Sequence, residues 1–264
     1  MPLGLGNIKV HRNRPKRSSF SRSMQFDGSA DFEQAADSNH TTFGNGTNDL
    51  DFSINIWFKV DSISSSNNPL FIKSNEYLIT VVNQTIIIRL FDNGASNYRQ
   101  WVTGNVIEAN KWYCALFVAN GDGSGGIADG EMTLYLNGSA LTDGSGLTAS
   151  DQGTYVAMHN KGNHRAGSDG TNLLDGSIAQ ICVLSSAAGP NAARRIYNNG
   201  VPTNILKRHN ISSVVKAYWL FGNTRGDTIA AVQDIGLAEV NMVQTNAAKQ
   251  PALTARANVR TGVM

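Results

Sequence analysis

Apolar residues in this chain fall into short runs broken by turn formers, beginning at residue 23. In SMQFDGS (23–29), Met24 and Phe26 share one side of an extended segment that ends at Asp27-Gly28. In FSINIWFKV (52–60), Phe52, Ile54, Ile56 and Phe58 recur at period two, with Ser53, Asn55 and Trp57 between them. That alternation predicts a strand with one packed face and one semi-polar face. Further strands are predicted at 69–74, 76–82 and 85–91, with turns at Asn75 and Asn83-Gln84 and a stop at Asp92-Asn93-Gly94. Segment 110–120 is strongly apolar, and 131–141 carries the clearest hairpin signal of the chain, Asn137-Gly138. A strand at 176–186 precedes one short helix, started by Gly189-Pro190-Asn191 and stopped by Asn199-Gly200. A strand at 214–222 and a final pair around Asp234-Ile235-Gly236 complete the pattern. The expected core is Phe26, Phe52, Ile54, Ile56, Phe58, Leu134, Leu136, Ile178 and Ile181, and the class is an all-β, antiparallel two-sheet sandwich.

Composition sharpens this. Charged residues are 16% against about 25% in a typical domain, and 26 glycines take part of their place. That mixture disfavours long surface helices, which draw on Glu, Lys, Arg and Ala. No apolar run approaches the roughly 18 residues of a spanning helix, so no membrane span is expected. The basic N-terminus has no apolar stretch behind it and does not match a secretory signal. Cys114 and Cys182 lie in apolar strands and read as small buried hydrophobes rather than a bridge.

The net charge of +2 conceals a division. Residues 1–22 carry Lys9, Arg12, Arg14, Lys16, Arg17 and Arg22 and no acid; residues 23–239 sum to −7; residues 240–264 sum to +3. The chain is accordingly divided into a basic arm (1–22), a sandwich (23–239) and an extended tail (240–264). The six basic residues of the arm are the expected subunit-docking residues. A nucleic-acid partner is disfavoured, since Phe20 is the arm's single aromatic and offers no stacking platform.

Four segments in order resemble the laminin-G-like, concanavalin-A-like jelly roll: SMQFDGSADFEQ, DLDFSINIWFKVDS, NKWYCALFVANGDGSGGIADGEMTLYLNG and LLDGSIAQICVLSSAAGPNAARRIYNNG, spanning about residues 23–200. After Gly200, KAYWLFGNTRGDTIAAVQDIGLAEVNMVQTN resembles an extension seen in jelly-roll proteins of tailed phages and related viruses. The resemblance implies a jelly-roll sandwich with one short helix and extended basic termini. It also implies a structural component of a virion: a capsid decoration, fibre or tail appendage, multi-copy or homo-oligomeric, and in contact with other virion proteins.

Glucanases share the sandwich, but they set two carboxylates across the scissile bond. Here Glu131 stands alone, and Asp49 and Asp51 precede their strand, so the chain is expected not to be an enzyme. The resemblance leaves room for one ion, calcium, at Asp122 and Asp129 in GDGSGGIADG, with Asp169 as a further position; Asp-Gly pairs are equally turn formers. No other cofactor is expected. His159 and His164 lack a third ligand for zinc. The alternative function is recognition of a host surface glycan, for which NGASNYRQWVTGN offers Tyr98 and Trp101 as exposed rings to stack on a sugar face, with Asn97 and Arg99 beside them; the other reading of Trp101 is that it packs in an edge strand of the sandwich.

Overall fold

The computed structural model describes residues 22–63, 67–92, 96–159, 162–207, 211–224 and 227–254. Its first strands are β1 (Met24–Asp27), β2 (Glu33–Ala35), β3 (Leu50–Val60), β4 (Asn67–Lys73), β5 (Tyr77–Val82) and β6 (Thr85–Phe91). Then follow β7 (Tyr98–Thr103), β8 (Trp112–Asp122), β9 (Met132–Leu136), β10 (Ser139–Asp143), β11 (Gly146–Gln152), β12 (His164–Ala166) and β13 (Asp175–Leu184). After helix α1 (Pro190–Tyr197) come β14 (Val215–Trp219), β15 (Ala231–Val232), β16 (Met242–Val243) and β17 (Ala252–Leu253).

Pairing sorts these strands into two layers. The first runs β10-β9-β8-β3-β13, with both β1 and β14 on the far edge of β13 and β17 beyond β1. The second runs β11-β7-β6-β5-β4-β12-β2-β16-β15. They are stitched together where Thr142 and Asp143 meet Gly146 and Leu147. This is the jelly-roll sandwich expected from the sequence. The core between the layers holds Phe26, Phe52, Ile54, Ile56, Phe58, Leu134, Ile178 and Ile181 as expected, with Leu136 only partly buried against it. Phe43 stacks on Phe52 at 4.8 Å between centroids, and Tyr77 follows at 6.0 Å.

The first layer is buried on its outer face as well. There Trp57, Cys114, Leu116, Tyr135 and Cys182 pack against Ala193 and Ile196 of α1 and against Ile205 and Tyr218. Trp57 stacks on Tyr197 at 6.3 Å. Strands covered on both faces lose polar alternation, which is why 110–120 reads as a continuous apolar run. The helix has Pro190 in its first turn and ends on Asn198 in the left-handed region, φ 47°. The Asn137-Gly138 turn joins β9 to β10 with φ of 51° and 82°, as a primed turn requires. A Cβ on Gly138 would also sit 3.0 Å from the Tyr197 ring. Both cysteines are free and buried, and burial pushes the Cys114 thiol up to about 12.

One boundary moves. The segment set apart at 240–264 is part of the sandwich through at least residue 254: Val243 pairs with Gln34, Leu253 pairs with Met24, and Met242 is fully buried. The final strand pair expected around Asp234-Ile235-Gly236 forms as β15 and β16, whereas β17, two residues long, shows no periodicity in the sequence. In the arm, Lys9, Arg12, Arg14, Lys16 and Arg17 lie outside the described residues. Arg22 is exposed, and its backbone is held by Asn223, whose Oδ1 accepts from the Arg22 N–H at 3.0 Å and whose Nδ2 donates to the Arg22 carbonyl at 2.7 Å.

Candidate functional site

The four residues expected to bind glycan separate. They lie in or beside β7, an interior strand of the second layer between β6 and β11. Trp101 is 0% exposed in the core, and its Nε1 donates to the Asp129 carbonyl at 2.9 Å. The expectation of an exposed stacking ring there is corrected: strand alternation turns Trp101 inward. Asn97 Nδ2 donates to Asp92 Oδ2 at 2.9 Å and shapes a turn. Arg99 is a clasp. Its Nε and Nη2 reach the two Asp151 oxygens at 2.7 Å each, its Nη1 donates to the Ile127 carbonyl at 2.9 Å, and Asp129 lies 3.4 Å away. Arg99 thereby holds Asp151 below the usual carboxylate range. Tyr98 alone faces outward, half-buried, with its hydroxyl on Gln152 Oε1 at 2.8 Å and the Arg89 guanidinium 4.7 Å over its ring.

The two acids expected at a calcium site serve different neighbours. Asp129 faces Arg99, whereas Asp122 Oδ1 accepts from the Ser124 N–H at 2.8 Å and hydroxyl at 2.6 Å, which lowers its pKa. Among the described residues no trio of His, Cys, Asp or Glu is placed to hold a metal ion. Asp169 closes its own turn on Thr171 and Asn172. The histidines separate too. His159 is exposed, while His164 is buried between Thr41 Oγ1 at 2.8 Å and the Ala36 carbonyl at 3.1 Å. Burial, aided by the nearby Lys73 charge, pushes His164 down to about 4. Glu131 caps a short turn by accepting from the Ala128 N–H at 2.7 Å.

A cleft of about 470 Å³ opens instead between segment 39–43, the start of β3, the end of β8, Ser185 and Lys216 of β14. Its wall is held from below by buried polar groups. Glu76 Oε1 accepts from the Phe43 N–H at 2.9 Å, Lys73 Nζ reaches Thr42 Oγ1, and His164 holds Thr41. Gly121 is required at the base, since a Cβ there would lie 2.7 Å from the Asp49 carbonyl. Asp49 itself is buried, with its pKa raised chiefly by burial, and gathers the Ile127 N–H at 3.0 Å, the Met158 N–H at 2.8 Å and the Tyr155 hydroxyl.

Asn39, His40, Asp51 and Lys216 line this cleft, as does Asp122. The side chains of the first four make no hydrogen bond or ion pair with another described residue. Leu50, 56% exposed, adds an apolar contact. Of these, sequence reading marked Asp122 as a metal candidate and set Asp51 aside. The others come from segments far apart in sequence and carry no local motif.

The sequence profile of the concanavalin A-like lectin/glucanase superfamily matches residues 27–191. No curated protein matches the chain. Among solved structures, a Bacteroides ovatus protein described as carbohydrate-binding is similar with a TM-score of 0.59 and 13% identity, over 92% of this chain and 62% of that one. This chain therefore spans less than two thirds of that protein's length. The serotype D botulinum neurotoxin binding domain follows at TM-score 0.49 and 15% identity (67% and 42% covered). The Ruminococcus gnavus sialidase module bound to α2,3-sialyllactose gives TM-score 0.44 and 12% identity (68% and 99% covered). At these identities the likeness is one of fold. With the profile covering the sandwich from β1 to the start of α1, the chain belongs to the concanavalin A-like lectin/glucanase superfamily.

Proposed function

We propose that the chain is a non-catalytic carbohydrate-binding module whose saccharide site is the cleft between segment 39–43 and the end of β8. One observation carries this reading: four polar residues whose side chains have no partners among the described residues line one cleft of about 470 Å³. That volume suits a small-molecule site. Asp51 supplies acceptors, Lys216 donors, and Asn39 and His40 both, which is the mixture that sugar hydroxyls answer. Hydrolysis is disfavoured in the same cleft. Asp122 is held below its ordinary pKa by Ser124, the opposite of what a general acid at neutral pH needs.

A glycan array probed with the labelled chain, followed by calorimetry on the best ligand, tests this. Asp51→Ala or Lys216→Ala is expected to weaken binding about 10-fold or more, since a hydrogen bond to a charged group contributes about 1.5–3 kcal/mol. The melting temperature should be unchanged and no cleaved sugar released. Absence of any bound glycan, or full affinity in both variants, rejects the reading.

A second reading rests on the +6 arm: a multi-copy virion component, of phage or virus, that docks to other subunits through its basic end. Deleting residues 1–21 would then leave the melting temperature unchanged and abolish a salt-sensitive assembly in gel filtration. An elution volume identical with and without the arm, at low and high salt, rejects it.

A further inference from the structure

A second cleft, of about 350 Å³, opens where the turn after β1, β12 and loop 168–173 meet the C-terminal segment at Lys249. Arg165 points outward from β12, because its neighbours His164 and Ala166 are buried on the core side. Its Nε donates to Gln34 Oε1 on β2 at 3.0 Å, which fixes the guanidinium and leaves both Nη groups without a partner among the described residues. The backbone at Gly170 approaches it closely: a Cβ there would lie 2.7 Å from Nη1, and its φ of +98° independently favours glycine. Lys249 is brought in from the C-terminal segment, whose Lys249 carbonyl accepts from the Phe32 N–H at 3.2 Å. The Arg165 Cζ and the Lys249 Nζ each lie 5.8 Å from the centroid of the Phe32 ring.

One aromatic ring therefore carries two cations, and neither has an ion pair among the described residues. The ring quadrupole attracts each cation and steadies it, but it does not cancel their charge. The nearby acids are committed elsewhere: Asp27 to Ser29, Asp31 to the Asp27 N–H, and Asp169 to Thr171 and Asn172. No acidic side chain lines the cleft. Two unneutralised cations in a concave site focus positive potential on it. The space exceeds what a single small anion fills and falls in the range of small-molecule sites. Beside the cations Thr171 also lines it.

We propose that this cleft is an oxyanion site that takes a sulfate or carboxylate group borne on a saccharide. It is separate from the cleft at Asp51. The test is calorimetry on the full chain with a sulfated oligosaccharide, its desulfated counterpart and inorganic sulfate.

The sulfated oligosaccharide is expected to bind at least 10-fold more tightly than the desulfated one, and less tightly as ionic strength rises. Lys249→Ala, at an exposed position, should weaken it several-fold, and Arg165→Ala with Lys249→Ala at least 10-fold. The ratio of the two affinities reads this site alone, because the desulfated sugar reports any binding at the Asp51 cleft, so failure of the first cleft's reading and failure of this one are distinguishable. Equal affinity for the sulfated and desulfated sugars, or wild-type affinity in the double variant, overturns the site. Inorganic sulfate binding as tightly as the sulfated sugar overturns the saccharide as its source.

Discussion

Lys73→Met is expected to lower the stability of the folded chain by about 3–5 kcal/mol, the effect of removing one partner from a buried ion pair. Lys73 is fully buried at the end of β4, and its Nζ lies 2.6 Å from Glu76 Oε2, itself fully buried, and 3.3 Å from Asp37 Oδ1. Burial pushes the Glu76 carboxyl up to about 7 even against the pull of the Lys73 charge. Without Lys73 that carboxylate has no counter-charge beside it and must take up a proton or open the fold. Adding Glu76→Gln to Lys73→Met should restore part of the loss, because the second change removes the orphaned charge. The damage also has a place. Lys73 and Glu76 hold segment 38–43, so hydrogen exchange at Thr41, Thr42 and Phe43 should quicken before global unfolding. Denaturant midpoints of the two single variants and the double measure the coupling. A Lys73→Met chain within 1 kcal/mol of wild type, on the order of a surface pair, would show that the pair is solvated.

That cluster illustrates what the sequence hides. Lys73 and Glu76 flank a tight turn at Ser74-Asn75, with Asn75 at φ 62°, and in a sequence such charges read as a solvated hairpin end. Their burial follows from segment 38–43 folding over them, a contact made across more than thirty residues. The alternation in 52–60 was legible because one face meets the core directly. Trp57 was not, since the face it occupies is closed by α1 and Tyr197. YRQWVT alternates as a strand should, with Trp101 and Thr103 inward, and it lies inside the sheet rather than at its edge because GLTASDQ, too polar to show a strand pattern, pairs with it. Local strings carry no converging chemistry here: Arg99 and Trp101 turn to one side of β7 and are spent on Asp151, Ile127 and Asp129, Tyr98 turns to the other, whereas Asn39, Asp51 and Lys216 meet from distant segments.

Glu33→Gln is expected to flatten the fall of stability at alkaline pH. Glu33 is fully buried in β2, and neither of its carboxyl oxygens has a hydrogen-bond partner. Burial, with the neighbouring Asp227 charge adding to it, raises its pKa from 4.5 to about 8. The folded chain therefore holds a proton there that the unfolded chain has already released, so stability declines as pH rises from about 4.5 to about 8. His164 acts in the opposite direction. Its pKa drops from 6.5 to about 4, so the unfolded chain binds the extra proton and stability climbs over that interval. The two trends oppose each other below pH 6.5, and above it the carboxyls act alone, Glu76 ceasing to contribute near pH 7. Between pH 6.5 and 8 the wild type should lose about 2 kcal/mol, at about 1.4 kcal/mol per pH unit. The Gln variant carries no proton to lose and should lose less than half of that. Thermal melts at pH 5, 6.5 and 8 read the difference as a slope, which is insensitive to any fixed effect of the amide. Parallel slopes for the two proteins would mean that Glu33 ionises normally and is reached by water in the folded chain.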